Sequence, residues 1–195
     1  ADGFAYYDVA SGMRSDIVAF EPDKPNTRFN DGRTDRQGRL VAGGLDEETS
    51  APISSVVRLD PDGTVTTLIE GVSCANGTCF SPDGRTMYFA DSPTGEMVAY
   101  DYDPESDRLG ARRVIATFEA QPGTPDGSCV DAEGYIWNAQ WKGHRVVRFA
   151  PSGVIDRVVE VPVANPTCCA FGGLELDTLF ITSAREDMSP EQLEA

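Results

Sequence analysis

Pro82-Asp83-Gly84-Arg85-Thr86-Met87-Tyr88-Phe89-Ala90-Asp91 decides the fold, because it sets a turn directly against a short apolar strand and the arrangement recurs along the chain. Asp83-Gly84 supplies residues that tolerate positive φ where a chain reverses, and Met87-Tyr88-Phe89-Ala90 is an apolar run of strand length. Working outward, Asp35-Arg36-Gln37-Gly38 precedes Arg39-Leu40-Val41-Ala42-Gly43, and Asp131-Ala132-Glu133-Gly134 precedes Tyr135-Ile136-Trp137-Asn138-Ala139. The turn glycines Gly38, Gly84 and Gly134 lie 46 and 50 residues apart.

A second series interleaves with the first, with the strand now running into the turn. Its members are Phe4-Ala5-Tyr6-Tyr7-Asp8 to Gly12, Val56-Val57-Arg58-Leu59-Asp60 to Gly63, Val98-Ala99-Tyr100-Asp101-Tyr102 to Gly110, and Val146-Val147-Arg148-Phe149 to Gly153, at intervals of 51, 47 and 43 residues. Two series with one spacing, offset by half a period, require at least two hairpins per unit. That is the content of a four-stranded propeller blade. A β-sandwich also shows short strands and regular turns but does not require this long repeat. The expected class is all-β, a β-propeller of four-stranded blades, with 195 residues covering about four blades. The one helical signal is the tail Ser189-Pro190-Glu191-Gln192-Leu193-Glu194, which reads as a capped helix start.

Composition narrows the function. A formal net charge of -16, from 32 acidic against 16 basic residues, repels phosphate backbones and anionic headgroups, which argues against nucleic-acid and membrane partners. No apolar run reaches the roughly 18 to 20 residues of a membrane span, and Ala1-Asp2-Gly3-Phe4-Ala5-Tyr6-Tyr7 lacks the features of a signal peptide. Cys74, Cys79, Cys129, Cys168 and Cys169 are odd in number and lack CxxC spacing, so neither a disulfide framework nor a structural zinc site is expected. The expected compartment is the reducing cytoplasm.

Candidate chemistry lies where polar residues recur blade by blade. Asn30 in Arg28-Phe29-Asn30-Asp31-Gly32, Asn76 in Ala75-Asn76-Gly77 and Asp126 in Pro125-Asp126-Gly127 are 46 and 50 residues apart, each preceding a turn-plus-strand unit. Equivalent positions in successive blades project toward a shared axis. Amide and carboxylate oxygens gathered there suit a hard divalent cation such as Ca²⁺, Mn²⁺ or Mg²⁺, with zinc also admitted. The plainer alternative is that Asn-Gly and Asp-Gly are turn dipeptides. His144, the sole histidine, would have to carry any Ser-His-Asp triad alone and reads as a loop residue. Trp137, Trp141 and Phe171 are expected to pack, with either tryptophan a candidate wall for a sugar. No glycine-rich phosphate loop opens a helix, so nucleotide binding has no support.

Several of these motifs together resemble the senescence-marker-protein/gluconolactonase/regucalcin family. They are Arg28-Phe29-Asn30-Asp31-Gly32, Asn76-Gly77 with Ser81-Pro82-Asp83-Gly84, Tyr88 to Asp91-Ser92, Pro125-Asp126-Gly127 with Asp131-Ala132-Glu133-Gly134 and Trp137, and Cys169-Ala170-Phe171-Gly172-Gly173 through Thr182-Ser183-Ala184-Arg185. The resemblance implies a six-bladed propeller with one divalent metal ion in its channel and hydrolysis of aldonolactones. It makes Asn76 and Asp126 metal ligands and gives Arg28, Asn30 and Glu48 substrate contacts, which moves Asn30 from ligand to substrate-facing rim. The family's third protein ligand, a glutamate in Glu-Gly-Pro of the first blade, has no counterpart here. Residues 1–195 are therefore expected to form a single propeller domain lacking the family's first blade and closing strands.

The expected mechanism has the metal polarise the lactone carbonyl and activate a water, Asp126 acting as catalytic base and Arg28 orienting the substrate. The expected partner is a small sugar lactone, with no obligatory protein partner. The alternatives are a non-catalytic calcium-binding propeller, and an esterase on the same fold.

Overall fold

The computed structural model describes residues 3–189, so the proposed helix start, from Pro190 onward, lies outside the described residues. Among the described residues, sixteen strands form three complete antiparallel meanders and two hairpins. The first sheet holds β3 (Thr27–Thr34), β4 (Leu40–Asp46), β5 (Ser54–Leu59) and β6 (Val65–Val72). The second holds β7 (Ala75–Phe80), β8 (Thr86–Asp91), β9 (Glu96–Asp101) and β10 (Arg112–Thr117), and the third β11 (Thr124–Val130), β12 (Ile136–Trp141), β13 (Arg145–Phe149) and β14 (Ile155–Glu160). The hairpins β1 (Gly3–Tyr7)–β2 (Arg14–Ala19) and β15 (Pro166–Gly172)–β16 (Thr178–Ser183) flank them. These are propeller blades, about four in all, and the only helix among the described residues is a single 3-10 turn at Ser92–Thr94. It is far too short to cross a membrane.

The two turn series map onto two kinds of hairpin. First-series turns join the first and second strands of a blade, and second-series turns join the third and fourth. Asp35 and Asp131 build their turns in the same way. One carboxylate oxygen of Asp35 accepts the N–H groups of Gln37 and Arg39, each at 2.9 Å, and one of Asp131 accepts those of Glu133 and Tyr135, each at 3.0 Å. Gly134 closes the latter turn at φ +87°, where a Cβ would be strained.

The cores lie between blades, because the middle strands are apolar on both faces. On β8, Met87 and Phe89 pack toward the preceding blade with Val41, Val56 and Val72, while Tyr88 faces the next blade with Ile136, Val147 and Phe149. Trp137, Ala139 and Val146 then bury Cys169 of β15. The outermost strands are largely solvent-facing, as β14 shows with five of six residues exposed. The innermost strands β3, β7, β11 and β15 pack against one another in turn and line the axis of the arc.

A buried cation ties each of two blades together near the first-series turn. Arg148 donates through Nε to Asp131 at 2.8 Å and through Nη1 to Asp156 at 2.9 Å, and its guanidinium lies 3.7 Å above the Tyr135 ring. Arg39 pairs with Asp35 at 2.6 Å, and the Tyr102 hydroxyl from the next blade donates to the same carboxylate at 2.8 Å.

Candidate functional site

Asn30, Asn76 and Asp126 lie inside innermost strands, not at chain reversals. Each sits where the register between first and second strand slips: between Phe29 and Asp31, between Asn76 and Cys79, and between Pro125 and Ser128. The slips leave Asn30 and Asp126 out of the ladder, whereas Asn76 still pairs with Ala90 and borders its slip, and all three side chains face one cavity. The Asn-Gly and Asp-Gly pairs are thus bulges and not hairpin turns. A fourth slip, between Pro166 and Cys168, puts Thr167 at the same level, a position without an Asn-Gly or Asp-Gly signature.

These bulges surround a cavity of about 550 Å³ at one end of the channel. Its wall includes Arg28, Asn30, Asn76 and Asp126 together with Asp31, Ser92, Thr167 and Trp141. Asn76 is buried, at 6% exposure, and its amide is held by its neighbours. The Ser92 hydroxyl has one proton, which it donates to the Pro125 carbonyl at 2.6 Å, so it accepts from Asn76 Nδ2 at 2.8 Å. Asn30 Nδ2 donates to Asn76 Oδ1 at 3.2 Å. Both contacts turn Asn76 Oδ1 toward Asp126 Oδ1, 2.9 Å away. Reversing the amide would give Asp126 a donor, but Ser92 would have to release Pro125 and Asn30 would face a second donor.

Two side-chain oxygens at that distance fit either a proton carried by Asp126 and shared with Asn76 or a hard cation held between them. The electrostatics agree. Burial pushes the Asp126 carboxyl up to about 7, the charge of Asp31 adds to the rise, and the Gly127 N–H opposes it. Burial also raises Asp31, against N–H donation from Thr78 and Gly32 and the charge of Arg33. Among the described residues no group of three His, Cys, Asp or Glu side chains is placed to hold a metal, so Asn76 and Asp126 offer two of the roughly six to eight oxygens that Ca²⁺ takes.

The remaining predicted residues are placed as follows. Arg28 lines the cavity, donating through Nη1 to the Phe29 carbonyl at 2.9 Å and to Asn30 Oδ1 at 3.3 Å, and through Nε to Glu47 at 2.5 Å. Glu48 stands outside the cavity wall, accepting from the Asn26 amide. His144 lies in the loop before β13 and is absent from the wall. Trp141 lines the cavity, whereas Trp137 is a packing residue, edge-on to Phe171 at 5.6 Å and donating to Asp131 at 2.9 Å.

Sequence reasoning missed three supports. Asp31 accepts the Thr78 N–H at 2.8 Å and so clamps β3 to β7, while Asp91 accepts the N–H groups of Ser73 and Cys74 and orders the approach to β7. Ser92 links β7 to β11 through the contacts above. All three stand in the quoted motifs, Asp31 directly after Asn30 and Asp91-Ser92 at the end of the β8 stretch, but nothing local distinguishes them.

The comparisons with known proteins bear on the family and the fold. The family described as SMP-30/Gluconolactonase/LRE-like region matches residues 1–185. L-arabinolactonase of Azospirillum brasilense is 42% identical over 196 residues, which is 99% of this chain and 64% of that protein. Human regucalcin is 36% identical over 183 residues, 91% of this chain and 61% of that protein. The crystal structure of a calcium-binding protein, regucalcin, from Agrobacterium tumefaciens superposes with a TM-score of 0.93 at 34% identity, covering 99% of this chain and 65% of that one. The chain thus spans less than two thirds of the length of each of these relatives. With its bulged inner strands, its blade repeat and a match along almost its whole length, the chain belongs to the SMP-30/gluconolactonase/LRE-like family.

Proposed function

We propose that this chain carries the substrate-binding end of a hydrolase that opens sugar-acid (aldono-) lactones to the open-chain acid. The observation that carries the reading is the approach of the Asn76 and Asp126 side-chain oxygens to 2.9 Å at the wall of a polar cavity of about 550 Å³. L-arabinolactonase, a relative by 42% identity, acts on a substrate of that class by its name. A divalent cation held by Asn76 and Asp126 would polarise the lactone carbonyl and make a bound water more acidic.

The chain's own groups supply the rest. Asp126 Oδ1 is engaged by the Gly127 N–H at 2.9 Å, which leaves Oδ2 to take the proton of the attacking water as catalytic base. Arg28, with Nε on Glu47 and Nη1 on Phe29 and Asn30, offers Nη2 of its guanidinium to the lactone oxygens and offsets charge as the tetrahedral oxyanion develops. Asn30 meets the sugar hydroxyls. Glu48, whose carboxylate lies outside the wall, would reach a substrate only by leaving Asn26. The identity of the metal, among calcium, zinc, manganese and magnesium, follows from coordination geometry and supply. The five free cysteines support a reducing, cytoplasmic setting.

A pH-indicator assay over 1,4- and 1,5-lactones, with metal supplied and chelated, tests the proposal. Metal-dependent turnover is expected, and Asp126→Ala is expected to abolish it. Turnover that survives exhaustive chelation would overturn the mechanism. The second reading, a non-catalytic calcium-binding propeller, is favoured by the description of the Agrobacterium relative as calcium-binding. Saturable calcium binding without turnover of any lactone would select it.

A further inference from the structure

The inner strands carry a second set of chemistry below the first cavity. Arg33 of β3 reaches across the axis, its Nη2 donating to the Ser128 carbonyl of β11 at 2.6 Å and standing 3.9 Å from Cys168 Sγ of β15. Beyond this guanidinium lies a separate cavity of about 280 Å³, whose wall includes Arg33, Arg36, Cys79, Cys129 and Phe171. Half-buried Cys129 on β11 brings its sulfur to 3.8 Å from that of Cys169 on β15, which is 2% exposed and 3.3 Å from the Trp137 carbonyl. Cys168, adjacent in sequence, projects the opposite way, lining the upper cavity against Gly127.

We propose that Cys129 and Cys169 form a dithiol that a hydroperoxide oxidises to a disulfide joining β11 to β15. The sulfurs must close from 3.8 Å to about 2.05 Å. The two strands are neighbours around the axis without hydrogen-bonding to each other, so side-chain rotation and a small slide of β15 suffice. The roles of the two sulfurs differ. Cys129 lines the cavity of about 280 Å³ and is open to a small peroxide, whereas Cys169 is 2% exposed and donates to the Trp137 carbonyl, so Cys129 is the sulfur that meets the oxidant and Cys169 the resolving thiol.

In the first step the Cys129 thiolate attacks one peroxide oxygen, the O–O bond breaks, and a sulfenic acid and hydroxide result. In the second the Cys169 sulfur attacks the sulfenic sulfur, the S–O bond breaks, and water leaves with the Cys169 proton. Overall, two thiols and one hydrogen peroxide give one disulfide and two waters.

The test is to treat the native protein with a modest excess of hydrogen peroxide, quench, titrate thiols in denaturant and map alkylated peptides by mass. Titratable thiols should fall from five to three, with a Cys129–Cys169 disulfide peptide and full recovery after dithiothreitol. Cys168→Ser should still form the bond, whereas Cys129→Ser and Cys169→Ser should not. The mapping on unaltered protein decides the matter even if a serine variant fails to fold. Full alkylation of both cysteines after treatment, a bond from Cys129 to Cys79 or Cys168, or a sulfinic acid at Cys129 with Cys169 free would each overturn the proposal.

Discussion

Asp131→Asn removes one negative charge and almost no volume, which isolates the electrostatic part of the blade tie. Asp131 Oδ2 accepts from Arg148 Nε at 2.8 Å and from Trp137 Nε1 at 2.9 Å, while the other oxygen serves two backbone N–H groups of the turn. An asparagine can keep the turn contacts but cannot balance the guanidinium, whose side chain is only 10% exposed. Breaking a buried ion pair on one side costs about 3–5 kcal/mol. Arg148 retains Asp156 at 2.9 Å and the exposed Glu133, so the cost falls below that range, at about 2–3 kcal/mol. With a urea m-value of about 2 kcal/mol per M, the midpoint should fall by about 1 to 1.5 M in a fluorescence or circular-dichroism titration.

The same experiment has a pH signature. Burial pushes the Asp131 carboxyl up, but donation from Trp137, Arg148 and the Tyr135 N–H outweighs it and holds the group below 3.8. A carboxyl lowered on folding contributes stability that is present above its unfolded pKa and lost as pH falls through its folded pKa. The gap between the native protein and Asp131→Asn should hold constant from neutrality to about pH 5 and narrow below pH 4. A midpoint shift smaller than about 0.25 M at pH 7, or a gap that widens on acidification, would refute the reasoning.

Three further substitutions probe other links. In Gly127→Ala the new Cβ would lie 2.6 Å from Cys168 Sγ and 2.8 Å from the Thr167 carbonyl oxygen, so β11 and β15 must part. About 1–3 kcal/mol of stability should be lost, and calorimetric calcium affinity should fall as Asp126 shifts from Asn76; unchanged affinity would count against the bulge as the positioning device. Met87→Ala empties a fully buried site between two blades and should cost about 2–5 kcal/mol by denaturant titration. Gly153→Ala puts a Cβ 1.5 Å from the Ile115 carbonyl at φ +87°, and a drop in thermal midpoint of several degrees is expected, with near-native melting as the contrary result.

The blade repeat was legible because its signals are local. Asp-x-x-Gly and Asp-Gly turns beside apolar runs at Val41, Met87 and Ile136 need only a few neighbouring residues to be read, and both turn series fell on real hairpins. The outermost strands were hard to read because they bury little: Ile155–Glu160 and Arg112–Thr117 mix charged and apolar residues without a buried face to impose alternation. The inner strands were legible only in part, for a different reason. Asn76-Gly77 and Asp126-Gly127 have turn chemistry, and only pairing with β8 and β12 makes them bulges.

Composition and spacing by themselves determined a repeating all-β chain with polar side chains at equivalent positions near residues 30, 76 and 126. Tertiary structure alone decided that Asn76 and Asp126 face each other at 2.9 Å, that Asp31 and Ser92 brace them, that Glu47 engages Arg28 while Glu48 stands outside the cavity wall, and that Cys129 meets Cys169. Those partners stand up to about 50 residues apart along the chain, and what joins them is the packing of one blade on the next. The nearest-neighbour chemistry that makes a turn legible carries no information about that distance.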